Sequence, residues 1–139
     1  MPYLAGVVLA LAVAALANLV GLDRGRSFYP TVMIVIALYY VLFAVMGGSG
    51  HALAVETVVM VGFLVVSVIG FKQNLWLVVA ALAGHGIFDF FHAYVVDNPG
   101  VPAWWPGFCM AYDLTAAAFL AWLLARSRTH PGRSAIQEP

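Results

Sequence analysis

The stretch Leu75–Val96, LWLVVAALAGHGIFDFFHAYVV, decides how the rest of the chain is read. It is long enough to cross a bilayer core, which takes about 20 apolar residues in a helix. It is also too long and too uniformly apolar for a barrel strand, where apolar and polar residues alternate. In lipid a helix alone satisfies its own backbone without closing a barrel. Four more runs of the same kind flank it: Tyr3–Leu22, Pro30–Gly47, His51–Gly70 and Phe108–Arg126. The expected fold class is all-α, an integral membrane bundle of five transmembrane helices.

The composition agrees. Hydrophobic residues make up 64% of the 139 and charged residues 9%, against about 25% charged in soluble domains. Mean hydropathy is +0.98. Twelve charged side chains would not cover the surface of a soluble protein this small. A soluble enzyme, a disordered chain and a secreted disulfide scaffold are excluded. Cys109 is the single cysteine, so no internal disulfide exists. Net charge is zero, and no basic block suggests nucleic acid.

The links DRGRS, GGSG and FKQN are short and predict antiparallel neighbours. The fourth, DNPGVPAWWPG, carries three prolines and reads as non-helical, with Trp104 and Trp105 suited to the headgroup level. With five spans, Arg24, Arg26, Lys72, Arg126, Arg128 and Arg133 all fall on one side. The positive-inside rule then predicts the N-terminus outside and the C-terminus cytoplasmic, in a bacterial inner (plasma) membrane. The first run reads as an anchor: Ala15-Leu16-Ala17 would pass as a cleavage site, but no Lys or Arg precedes it and two Arg follow. Residues 1–126 are expected to form the membrane domain, and residues 127–139, with Pro131, Gly132 and Pro139, a disordered cytoplasmic tail.

Ionisable residues inside a span are costly and point to function. There are five: Glu56, His85, Asp89, His92 and Asp113. His85, Asp89 and His92 stand at i, i+4 and i+7, on one helix face. Cys109 and Asp113 are also i and i+4, continued by Ala117, Ala121 and Ala125 as a stripe suited to helix contact. Ala52 and Glu56 share a face with Phe63 and Ser67, and Gly6, Ala10, Ala14 and Asn18 form a further stripe. Folding the spans about their links puts Glu56 opposite Asp89, Asp113 near Asp89 or Phe90, and Cys109 nearer His92. Three carboxylates then meet in the outer half of the membrane with no Lys or Arg beside them.

Ionised together at low dielectric, they would repel strongly. Three resolutions are open: raised carboxyl protonation, a proton relay, or a bound metal cation. His and carboxylate suit a divalent transition metal such as zinc, iron or copper. The predicted ligands are His85, Asp89, His92 and Asp113, with Glu56 a further ligand or, with Asp89, a catalytic group acting on metal-activated water. Cys109, Tyr39 and Tyr40 read first as packing residues, His51 as interfacial, His130 as inert, and Asp97-Asn98-Pro99-Gly100 as a turn. No Lys lies in a span to carry retinal, and His85 and His92, on one helix face, cannot sandwich one haem iron.

The segment HGIFDFFH, then DNPGVPAWWPGFC, then YD, resembles a group of small bacterial multi-pass integral membrane proteins of unknown function. They share a pattern of His-x3-Asp-x2-His, Asn-Pro and Cys-x3-Asp. It falls here on His85, Asp89, His92, Asn98-Pro99, Cys109 and Asp113, over about thirty residues. Several members carry two adjacent histidines where this chain has His92-Ala93. The resemblance implies a shared site and no activity. A looser likeness, in ligand type only, is to the membrane hydrolases that include alkaline ceramidases and adiponectin receptors, where three His hold an intramembrane zinc.

The function expected is a membrane metalloprotein acting on a lipid-soluble substrate by metal-assisted hydrolysis or oxidation. The Pro/Trp link would cover its site and admit membrane lipid sideways. The alternatives are a proton- or cation-coupled transporter component, oligomeric through the Gly6/Ala10/Ala14 face, and an accessory subunit whose polar cluster only fixes packing.

Overall fold

A computed structural model describes residues 1–129. It holds five long helices: α1 Pro2–Val20, α2 Phe28–Met46, α3 Gly50–Lys72, α4 Trp76–Val95 and α5 Trp105–Thr129. A short 3-10 turn, Leu22–Arg24, lies in the first link, and no strand occurs among the described residues. All five helices are long and apolar enough to cross a membrane, which makes this a multi-pass membrane protein. Side chains such as Leu4, Val8, Leu16, Val58, Phe90 and Tyr94 project outward, where hydrocarbon rather than water is their solvent.

Local signals end the helices where chemistry requires it. Gly21 closes α1 in the left-handed region at φ 81°. The Ser49 hydroxyl accepts the Ala52 N–H to start α3. The Asn74 side chain accepts the Trp76 N–H ahead of α4. In α5, Pro106 is the second residue, so the expectation that the prolines keep this segment out of helix fails there. In the first turn a missing N–H costs nothing and the fixed φ suits a helix. At its other end α5 continues through Thr129, three residues into the expected tail. His130, Arg133 and the remainder of that tail lie outside the described residues.

Packing runs α1–α5–α4–α3–α2, with α2 also touching α4. Neighbours in sequence are therefore not always neighbours in space: α1 packs on α5, although a short link joins it to α2. Its small-residue face explains this. Gly6, Ala10, Ala14 and Ala17 are buried, and a Cβ on Gly6 would stand 2.3 Å from the Phe108 carbonyl oxygen. The stripe offered as an oligomer contact is thus occupied within the chain, and Asn18 falls off its end, exposed. On α5 the buried line is Cys109, Asp113, Ala116, Ala117 and Leu120, while Ala125 is exposed. The four-residue stripe drifts away from a face that repeats every 3.6 residues.

The two ends of the bundle differ. Arg26 donates from Nε to the Phe71 carbonyl (2.9 Å) and from a terminal nitrogen to that of Gly70 (3.3 Å). Arg128 lies over the Trp76 ring. The described basic residues therefore share one end. At the other end the α4–α5 link presses on the α2–α3 turn, and a Cβ on Gly100 would lie 1.7 Å from the Phe43 carbonyl oxygen.

Candidate metal centre

Four helices and one link deliver polar side chains to a common layer. Counted from the helix ends at the Gly100 side, Tyr40, Glu56 and Asp89 are six residues in and Asp113 eight. At a rise of 1.5 Å per residue this is about 9–12 Å of depth. Glu56, His85, Asp89 and Asp113 are at most 1% exposed, and Tyr40, His92 and Cys109 are 2% exposed. The α4 periodicity produces this directly: His85, Asp89 and His92 point inward while Ile87, Phe90 and Phe91 face out.

The layer divides into two parts. In the first, His85 Nδ1 stands 2.7 Å from Asp113 Oδ2 and 3.4 Å from Asp89 Oδ2. Cys109 Sγ is 3.9 Å from Asp113 Oδ2. One donor atom from each of His85, Asp89, Cys109 and Asp113 falls in a group no more than 4.8 Å across. Such a group can hold a metal ion. Tetrahedral bonds of about 2.0–2.3 Å separate ligand atoms by roughly 3.3–3.8 Å, so a modest contraction of the longest separation and opening of the shortest would suffice. Asp89 Oδ2 and Asp113 Oδ1 are buried with no hydrogen-bond partner. Buried polar atoms are rarely left so.

The second part is closed on itself. His92 Nε2 lies 2.7 Å from Glu56 Oε1. The Asn98 amide donates to that same oxygen (3.0 Å) and to the Tyr40 carbonyl (3.1 Å), while its own oxygen accepts the Gly100 N–H (3.2 Å). Tyr40 joins the two parts. Its hydroxyl donates to Asp89 Oδ1 at 2.6 Å, and its ring lies over that of His92, with centroids 4.3 Å apart.

Of the predicted ligands, the structure gathers His85, Asp89 and Asp113 and adds Cys109. It sets His92 apart, paired with Glu56, one turn along α4. Glu56 is accordingly not a member of the four-donor group. The expected register is off by about a turn in the α3–α4 hairpin, whereas Asp113 does lie near Asp89 as expected. Glu56 meets His92 rather than Asp89, because the α3–α4 link Gln73–Leu75 is centred on Asn74, beyond Lys72. Asp113 additionally meets His85 at 2.7 Å, because α5 begins at Trp105 rather than Phe108 and moves the fold point back. Two residues were underread. Tyr40 differs from Tyr39 by facing inward at 2% exposure. Asn98 reads in the sequence as a turn residue, yet its amide ties the link to Glu56 and to the Tyr40 carbonyl. His51 is exposed at the start of α3, outside the polar layer.

Aromatic rings close the layer. Phe63 stands edge-on to His85 with centroids 4.8 Å apart. Trp105 packs on Tyr39, Phe43 and Phe108 at the link end. No family model, curated protein or solved structure matches this chain, so the functional reading rests on the geometry.

Proposed function

We propose that this chain is a membrane-embedded metalloprotein of the resembled group, which hydrolyses a lipid-soluble substrate. Its metal would be a divalent transition ion, zinc, iron or copper, held by His85, Asp89 and Asp113, with Cys109 as a fourth donor. The observation that carries this reading is the pair of buried oxygens that make no hydrogen bond, Asp89 Oδ2 and Asp113 Oδ1, in a group that also offers an imidazole nitrogen and a thiol. A cation is the partner such oxygens lack, and the layer supplies no Lys or Arg. Held by these four donors and able to take a water as a fifth ligand, the ion would supply Lewis-acid activation of that water for attack on a carbonyl. Tyr40, bonded to Asp89, is placed to move a proton at that carboxylate. The Glu56–His92 pair lies behind the Tyr40 ring and serves as a nearby proton reserve. The basic end would face the cytoplasm of a bacterial inner membrane, leaving the N-terminus and the Trp-rich link outside.

A second reading is favoured by one specific feature. His85 Nδ1 sits between two carboxylates, Asp113 and Asp89, the arrangement of a proton shuttle in an ion-coupled transporter subunit. Elemental analysis of the purified protein separates the two. About one equivalent of transition metal per chain supports the hydrolase. Metal-free protein that acidifies liposomes under a cation gradient supports the shuttle and refutes the metal centre.

A further inference from the structure

α1 packs on α5 and α2 packs on α3, and between α1 and α2 a groove of about 660 Å³ remains, floored by α5. A volume of this size falls within the usual range of ligand sites, about 300–1,000 Å³. It runs along α2 from Phe28 to Tyr39, eleven residues or about 16 Å at the helical rise. Its walls are mainly apolar, with Val32, Val35 and Ile36 on one side and Leu9 and Val13 on the other.

Two features of its inner end distinguish it from an ordinary furrow between helices. Cys109 belongs both to the groove lining and to the four-donor group, so this one buried side chain separates the groove from His85, Asp89 and Asp113. Trp105 also lines it, and the indole Nε1–H is buried with no acceptor in the protein. Leu9, Val35 and Tyr39 on its rim are exposed on the outside of the bundle, within helices long and apolar enough to cross a membrane, so lipid is the solvent at its mouth. It does not need the Pro/Trp link as a door.

We infer that the groove is the substrate site of the hydrolase proposed above and takes one hydrocarbon chain of a membrane lipid. The chain lies along α2, and the lipid's hydrogen-bond acceptor sits beside Trp105 and Cys109. Because this rests on the metalloprotein reading, its test has to stand apart from metal content. The protein would be reconstituted in phosphatidylcholine vesicles containing a phospholipid with a diazirine midway along one acyl chain. After irradiation, cross-linked residues are mapped by peptide mass spectrometry, and metal is measured on the same samples.

The expected result is label enriched several-fold at Val32, Val35, Ile36 and Phe108 over the outward residues Val58, Val61 and Val65 of α3. Val35→Trp, placed at a half-exposed groove position, should lower that enrichment several-fold, and Val58→Trp should leave it unchanged. Metal content should be the same in both variants. Label spread evenly over all lipid-facing helices refutes the groove even where metal is bound. A groove signal replaced by a chain-to-chain product refutes it in favour of a second copy. Enriched groove label on metal-free protein keeps the lipid site and overturns the metal centre alone.

Discussion

His85 and His92 look equivalent in the sequence, and the structure makes them unequal, so replacing each with glutamine separates their roles. Glutamine is the useful substitution because its amide still donates: His92→Gln leaves Glu56 Oε1 a donor in place of the imidazole. Removing the partner outright would strand a buried charge at a cost of about 3–5 kcal/mol and confuse binding with folding. The magnitude follows from the donor group. Four-donor zinc sites bind with roughly 10–16 kcal/mol; shared evenly, each donor contributes about 2.5–4 kcal/mol, or about 60- to 700-fold in affinity. His85→Gln should lose an amount in that range, because its Nδ1 belongs to the group spanning at most 4.8 Å. His92→Gln acts only through the Tyr40 ring and should change affinity by less than about tenfold, the low end for residues behind the ligands. The assay is competition of the purified protein against a chromophoric zinc chelator. Cobalt loading gives a second readout, a thiolate charge-transfer band from Cys109 that Cys109→Ser should abolish. Equal losses in the two glutamine variants, or no loss in His85→Gln, would refute the four-donor assignment.

The remaining expectations concern the frame around that group. Gly100→Ala drives a Cβ into the Phe43 carbonyl, which is backbone and cannot yield; it should lower stability by at least about 1–3 kcal/mol in a thermal melt, while Gly62→Ala, with open space around it, should be neutral or stabilising. Tyr40→Phe removes the hydroxyl that donates to Asp89 Oδ1 and should destabilise the chelator-treated protein by about 1–3 kcal/mol, with a smaller loss once zinc is added; an equal loss in both states would count against a cation at Asp89. His51→Cys should react with a membrane-impermeant maleimide on intact cells and Lys72→Cys only after permeabilisation, against a native Cys109 that is buried; the reverse pattern would invert the orientation proposed from the basic residues.

The spans were legible because lipid imposes a one-dimensional rule. Each helix must satisfy its own backbone over a fixed thickness, so its existence shows in any window of about 20 residues. The inward face of α4 was legible for a related reason: His85, Asp89 and His92 are too costly to point at hydrocarbon. Partnership between helices was not. Which carboxylate meets which imidazole depends on where each link turns, and a shift of three residues in a helix start moves a side chain by a full turn. Pro106 concealed such a shift, since proline reads as a break but fits the first turn of α5. The α1–α5 contact was hidden too. The small-residue face of α1 announced that something packs there, but no sequence rule says that the partner is the last helix and not the next one.

The division of the layer into a satisfied and an unsatisfied part bears on why these positions are acids at all. Asn98 shows how the protein builds a purely structural tie: an amide, with its donors and its acceptor used, holds the link to Glu56 and to the Tyr40 carbonyl. An asparagine at 89 or 113 would bring its own donor into the same buried space and remove a charge that is expensive to desolvate. Helix packing alone would be served at lower cost that way. Aspartates in both positions instead leave Asp89 Oδ2 and Asp113 Oδ1 without a hydrogen bond, next to an imidazole and a thiol. An arrangement that accepts this cost twice in one group is suited to a positive charge that comes from outside the chain, and the groove proposed to hold a lipid chain would bring that lipid against Cys109, one of the same four donors.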